Sequence, residues 1–235
     1  MPERATVACL FDRVADRYDS VFAPHITAHY LLKRASFIER MFSTRRKLLD
    51  IGCGTGLLLE TLARRGFEVW GVDSSPGMAQ RASSRLPGRI VVSSADRLPF
   101  ADETFDGVLC IATLHHMESV YRSVFAEVAR VLRPAGRFLV WDHNPYNPYW
   151  RFLMRRVPQD TGRERLFTAA EICAEMRNNR LTVVGCWKKG FVPDFAPAAL
   201  LPAFALIERG IEALPVAHLL SAHSVIIGEK PHVAT

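Results

Sequence analysis

The chain has 235 residues, 49% of them apolar and 23% charged, with 30 Lys plus Arg against 24 Asp plus Glu for a formal charge of +6. That length suits one α/β domain with decoration and argues against a second full domain, and the composition excludes a disordered chain. No stretch reaches the roughly 18 apolar residues of a membrane span, and the N-terminus MPERATVACLFDRVADRYD lacks an apolar signal segment, so stable membrane insertion and export are not expected.

Cys9, Cys53, Cys110, Cys173 and Cys186 form no C-x-x-C pair of the zinc or redox kind, which suits a reducing, cytoplasmic setting. The basic clusters Arg45-Arg46-Lys47 and Arg151 with Arg155-Arg156 read as solvated surface rather than as a nucleic-acid site.

In chain order, residues 7–42 carry two helical stripes, Val7-Leu10-Phe11-Val14 and Leu31-Leu32-Ala35-Ile38, which predict an N-terminal helical cap over 1–42. From 43 to 142 the runs KLLDI, EVWGVD, RIVVSS, FDGVLCIA and RFLVWD read as strands. Helices are predicted between them over 57–65, 77–86 and 119–132, the last stopped by Arg133-Pro134-Ala135-Gly136. This alternation predicts a doubly wound α/β core.

Beyond Trp141 the segment DHNPYNPYW reads as a loop or linker into the remainder, 143–235. There Thr168 and Glu171 form a capping box at the start of TAAEICAEMRNN, and LTVVGCWKKG and HSVIIGEKP bring the strands to seven. The apolar segment Pro197–Leu220, interrupted by Pro202 and Pro215, is read as helices between the last two strands. It serves either as a cap over an apolar pocket or as a packing layer.

The strongest local signal is LLDIGCGTG, where a buried strand enters a turn with Gly52, Gly54 and Gly56 and then the helix LLLETLARR. Glycines at alternate positions let the backbone turn sharply and approach a ligand, and the amides at the helix start carry partial positive charge. Asp73 closes the second strand, 21 positions after Gly52. A carboxylate there can accept from both hydroxyls of a ribose; the other reading is a turn or N-cap residue before Ser74-Ser75-Pro76. A third element, Ser94-Ala95-Asp96-Arg97-Leu98-Pro99-Phe100, follows the third strand and offers a carboxylate and an apolar side chain beside an adenine.

With these three elements in order, followed by the F-D-x-V strand and R-V-L-R-P-A-G-R-F, the chain resembles the class I S-adenosylmethionine-dependent methyltransferases. The resemblance runs over residues 7–142 and more loosely beyond. It implies a single domain with a Rossmann-like, mostly parallel seven-stranded sheet, helices on both faces and an antiparallel last strand. It implies S-adenosyl-L-methionine as cofactor, with Gly52, Gly54 and Gly56 along its methionine and ribose portion and Asp50 near the ammonium. Asp73 with Ser74 would hold the ribose, Asp96 with Arg97 and Leu98 the adenine, and the backbone at Ile111 and Ala112 the amino acid end. Phe11, Ala15, Tyr18 and Asp19 resemble the F-D-x-x-A-x-x-Y-D segment that closes over the cofactor in ubiquinone and menaquinone C-methyltransferases; Tyr18 also reads as a core-edge aromatic.

Methyl transfer chiefly requires alignment of the acceptor and exclusion of water, and a hydroxyl acceptor is helped by a base of near-neutral pKa. His116 after strand four and His143 with Asp142 at the end of strand five are the catalytic candidates, since open α/β sheets bind ligands at that edge. His115 reads as a structural or pocket-lining residue. The spacing of these histidines shows no metal-ligand pattern, which leaves a site assembled in space, with a metal-dependent catechol-type reaction, as a minor alternative, and no G-x-S-x-G turn points to a hydrolase.

The resemblance implies a small-molecule acceptor, with a lipophilic, glycosylated or natural-product hydroxyl preferred. The alternatives are a C-methyltransferase of a quinone or polyketide-like acceptor, a non-catalytic Rossmann-like binding protein, and a nicotinamide-dependent oxidoreductase, which would share the glycine turn. Oligomerisation is left open.

Overall fold

The computed structural model describes residues 2–44, 46–158, 160, 164–214 and 221–232. Its centre is a seven-stranded sheet built from β1 (Lys47–Ile51), β2 (Glu68–Asp73), β3 (Ile90–Val92), β4 (Phe105–Ile111), β5 (Leu132–His143), β6 (Thr182–Lys189) and β7 (His223–Glu229). Their order across the sheet is β3-β2-β1-β4-β5-β7-β6. The first five strands run parallel, and β7 lies antiparallel between β5 and β6. The predicted fold class and the antiparallel last strand are both found.

The helices are α1 (Pro2–Val14), α2 (Pro24–Met41), α3 (Leu57–Arg64), α4 (Pro76–Arg85), α5 (Tyr121–Val131), α6 (Tyr149–Leu153), α7 (Ala169–Asn178) and α8 (Leu201–Ala213). Alternation along the strands sends side chains to two cores. Phe138 and Val140 of β5 join Phe125 of α5 and Ile172 and Met176 of α7 on one face. Leu139 and Trp141 join Phe37 and Ile38 of α2 and Leu59 of α3 on the other. Each of these buried side chains contributes roughly 1.5–3 kcal/mol of transfer free energy, and both faces need a helical cover because a central parallel sheet is apolar on each side.

Three local features depart from the sequence reading. β5 begins at Leu132, directly after α5, and breaks register with β4 between the Phe105↔Leu132 and Gly107↔Arg137 pairs. The Pro134-Ala135-Gly136 turn is absorbed as an irregularity of the strand, with Ala135 at φ 61. The segment after Trp141 is not loop throughout: Asn147 Oδ1 accepts from Tyr149 N at 2.9 Å, and the short α6 follows. Pro202 starts α8 rather than breaking it, because a proline in the first turn forfeits only an amide that has no partner there. Pro215 and Leu220 lie outside the described residues. The capping box at Thr168 and Glu171 is formed as expected.

Candidate active site

The carboxyl ends of β1, β4 and β5 open onto a cavity of about 480 Å³. Its walls come from the glycine turn, the residues after β4, α2 and the segments around Trp150, Val192 and His223. Gly52 (φ +71) sits where a Cβ would meet Thr113 Cγ2 at 2.1 Å, so close packing of the turn against the end of β4 requires glycine. Gly54 (φ +55) is different: a Cβ there would meet only Tyr18 Cε1, at 3.9 Å. The space beside Gly54 belongs to a ligand-sized hollow rather than to the core.

Tyr18 is held over this turn by its neighbours. Asp19 accepts from Thr55 Oγ1 at 2.6 Å and from Arg85 Nη2 at 2.7 Å, and Arg85 Nη1 donates to the Thr55 carbonyl at 2.6 Å. Asp12 of α1 accepts from Ser75 Oγ at 2.5 Å and Gly77 N at 2.8 Å, so the N-terminal segment is pinned to the start of α4. Burial pushes the Tyr18 hydroxyl up to about 12, which keeps it a neutral donor.

Asp50 and Arg34 both line the cavity. Asp50 is buried, its Oδ1 has no hydrogen-bond partner, and burial together with the nearby Asp73 raises its pKa to about 8 against the pull of Arg34. Arg34, on α2, has an unpartnered buried Nε, and burial lowers its pKa. No hydrogen bond or ion pair joins the two side chains. Buried unsatisfied charges are costly, so such a pair is complementary to a ligand that brings an ammonium and a carboxylate together.

The cavity is also lined by a group of histidines. His115 Nδ1 bonds Asp142 Oδ1 at 2.7 Å, and the His115 amide donates to Asp142 Oδ2 at 3.0 Å. Asp142 also accepts from the His143 amide at 2.7 Å. Burial opposes the charge on His115, but Asp142 outweighs it and the pKa is raised; burial likewise opposes the Asp142 charge, yet His115 holds that carboxyl far below the usual range. His116 lies 3.4 Å from Asp160, whose carboxyl burial lifts to about 7. Burial and the neighbouring His115 push His116 and His143 well down, so both are neutral. His143 stacks on Trp150 with ring centroids 3.7 Å apart. The side chains of His115, His116 and Asp160 also bring ligand-type atoms within 4.8 Å of one another, a grouping invisible in their sequence spacing.

Of the residues singled out from sequence, Tyr18, Asp50, Gly52, Gly54, Ile111, Ala112, His116 and His143 line this one cavity. Gly56 does not; a Cβ there would meet Ala82 at 2.9 Å, so it serves the packing of α3 on α4. Asp142 stands behind His115 rather than at the cavity surface, and positions that ring. Asp73 lies at the end of β2, accepting from Gly54 N at 2.8 Å and Ser75 N at 2.9 Å. Ser74 is exposed beside it, and Ser75 is the N-cap of α4. Asp96 accepts from the Ser94 hydroxyl, Arg97 is exposed, and Leu98 packs into the core with its amide on Glu127.

Arg34, Asp160 and the pairing of His115 with Asp142 escaped the sequence reading. Arg34 had one signal, a charge set within the apolar stripe Leu31-Ala35-Ile38 of α2.

Comparison with known proteins agrees with this geometry. Residues 49–140 match a family model described as a methyltransferase domain. The chain is 31% identical over 163 residues to a demethylmenaquinone methyltransferase of Tropheryma whipplei, covering 65% of this chain and 67% of that protein. An S-adenosylmethionine-dependent methyltransferase from Thermotoga maritima superposes with a TM-score of 0.73 at 20% identity, covering 95% of this chain and 99% of that one. Magnesium protoporphyrin IX methyltransferase from Synechocystis superposes with a TM-score of 0.68 at 15% identity, covering 97% and 99%. With the sheet order, the glycine turn and an Asp–Arg pair suited to an amino acid terminus, these likenesses place the chain plainly: it belongs to the class I S-adenosylmethionine-dependent methyltransferases.

Proposed function

We propose that this chain methylates a lipophilic small molecule bearing an ionisable hydroxyl, with His115 as the general base. The observation that carries the reading is a buried imidazole–carboxylate pair whose imidazole lines the same largely apolar cavity as Asp50 and Arg34. Within it, residues 1–42 act as a cap, 43–142 as the cofactor-binding core and 143–235 as the acceptor side of one domain.

When bound, the cofactor supplies a methyl group on a sulfonium centre that leaves as a neutral thioether. Asp50 and Arg34 would take the ammonium and carboxylate of its amino acid end, and Tyr18, Gly52, Gly54, Ile111 and Ala112, which line the same cavity, would help to hold it. Asp73 already accepts from backbone amides at the turn, Gly54 and Ser75 among them, and its remaining acceptor capacity would go to the ribose. Asp96, with Ser74, Arg97 and Leu98, is assigned to the nucleoside end.

Asp142 fixes His115 with Nδ1 inward, which leaves Nε2 to take the acceptor proton. Trp150, Val192 and Phe191 supply apolar walls that exclude water.

A second reading, C-methylation of a quinol, is favoured by the name of the Tropheryma whipplei relative. Both readings use the same base, because a deprotonated aromatic hydroxyl is nucleophilic at oxygen and at the adjacent ring carbon. Calorimetric titration with S-adenosylmethionine and S-adenosylhomocysteine, beside Asp73→Ala and Asp50→Asn, tests the cofactor assignments; near-native affinity in both variants would sink them. Transfer of a deuterated methyl group to a naphthoquinol, followed by NMR, separates oxygen from carbon products. His115→Gln should lower either rate by about 10²- to 10⁴-fold.

A further inference from the structure

Helix α8 is turned inside out. Its charged carboxylates face the protein. Glu208 is buried and accepts from His29 at 3.0 Å, from Phe191 N at 2.7 Å and from Lys33 at 2.5 Å. Glu212 accepts from Lys189 and Gly190 N, each at 2.8 Å. At a 100° step per residue these two carboxylates share one side with Leu201 and Phe204, which pack on Ile26 of α2.

The opposite side is apolar and open. Its exposed positions are Pro202, Ala203, Leu206, Ile207, Arg209, Gly210, Ala213 and Leu214, so the one charge among eight residues is a cation. Leu206 is 69% exposed, Ile207 51% and Leu214 58%, far from the polar face that a surface helix ordinarily presents. The chain leading into α8 continues the pattern with Phe195, 71% exposed, which also stands at the mouth of the cavity.

We infer that the outer face of α8, with Phe195, docks onto an anionic lipid surface and so presents the cavity mouth to the bilayer. Three features select lipid over a second copy of the chain. All acidic side chains of α8 are consumed inward, so nothing on its outer face repels anionic headgroups. Arg209 is exposed, Arg156 stacks 3.8 Å over the half-exposed Phe152 ring beside Phe195, and the one acidic neighbour, Asp194, is engaged by the Tyr149 hydroxyl, so the free charges flanking the apolar face are cations, which two copies meeting face to face would oppose. Leu, Ile and Phe with flanking arginines is also the composition of helices that lie in the headgroup boundary. The inference extends the proposed lipophilic acceptor by giving it a route of entry, and it rests on that reading only for its purpose.

The full chain is sedimented with vesicles of phosphatidylcholine alone and of equal parts phosphatidylcholine and phosphatidylglycerol, while light scattering follows its mass without lipid. Binding to the mixed vesicles is expected, weakened about fivefold by Arg209→Glu for each unit of charge changed and at least about tenfold by Leu206→Glu with Ile207→Glu. These positions are exposed, so circular dichroism and S-adenosylmethionine affinity should match the wild type and exclude misfolding. Failure of the wild type to bind the mixed vesicles overturns the inference, as does binding that the substitutions leave unchanged. A dimer that Leu206→Glu splits would assign the face to a second copy instead. Vesicle binding by a protein that does not bind the cofactor would leave the docking face standing and remove the site assignments.

Discussion

Replacing Gly54 by alanine separates ligand space from packing space. The position has φ +55, and a Cβ would touch only Tyr18 Cε1, at 3.9 Å. The fold therefore loses just the left-handed backbone penalty, about 1–2 kcal/mol. At Gly52 the same penalty is joined by a collision with Thr113 Cγ2 at 2.1 Å and Oγ1 at 2.9 Å. Overpacking of that kind adds about 1–3 kcal/mol, so Gly52→Ala should cost roughly 2–5 kcal/mol. Urea unfolding of both variants reads the stabilities, and calorimetry with S-adenosylmethionine reads the affinity. Gly54→Ala is expected to remain folded and to bind the cofactor at least about tenfold more weakly, since about 1.4 kcal/mol of lost contact suffices. Unchanged affinity in Gly54→Ala, or a larger stability loss there than in Gly52→Ala, would refute the division.

Asp142→Asn removes the charge that sustains His115. The raised His115 pKa means its share of stability is present below the unfolded value near 6.5 and fades as pH rises through its folded value; the depressed Asp142 contributes above the unfolded value near 3.9 and loses it as pH falls through its folded value. Wild type should thus exceed the variant most between about pH 4 and 6.5, by several kcal/mol, and denaturant curves with a pH-independent gap would contradict the pairing. Glu208→Gln should cost about 3 kcal/mol, because His29 and Lys33 would face a neutral partner on a buried site. Burial opposes the Glu208 charge, but His29, Lys33 and the Phe191 amide hold its carboxyl at about 2, so the wild-type advantage is complete above about pH 4.3 and disappears as pH falls through the folded value. An advantage that persists fully at pH 2 would show that packing, not charge, is responsible.

The sheet was legible because its signals are local. KLLDIGCGTG joins a strand, a turn and a helix within a few residues, and the Pro134-Ala135-Gly136 punctuation marks the passage to β5 even though the strand begins earlier. The proposed cofactor half of the site shares that property, since Gly52, Gly54 and Asp73 sit at strand ends fixed by the same pattern. The proposed catalytic pair does not. His115 and Asp142 meet because β4 and β5 pair with Ile111 beside Trp141, a register that no spacing in the chain announces. Asp160 reaches His116 through a turn with no periodicity at all. In α8 the ordinary rule misleads: its apolar residues predict a cap or a packing layer, yet roughly half of them face outward because Glu208 and Glu212 claim the inner side to meet His29, Lys33 and Lys189.

The placement of β7 bears on how the molecule comes into being. It is synthesised after every other strand of the sheet, yet it occupies an interior position, flanked by β5 and β6. Until it emerges from the ribosome, β5 ends in a raw edge and β6 has no neighbour, while His223, which faces His143 across the strand pair and lines the cavity, is missing. Edges of that kind invite pairing with other chains. A nascent chain stalled before His223 would therefore be both unable to complete its pocket and prone to aggregate, which couples the onset of ligand binding to the emergence of β7.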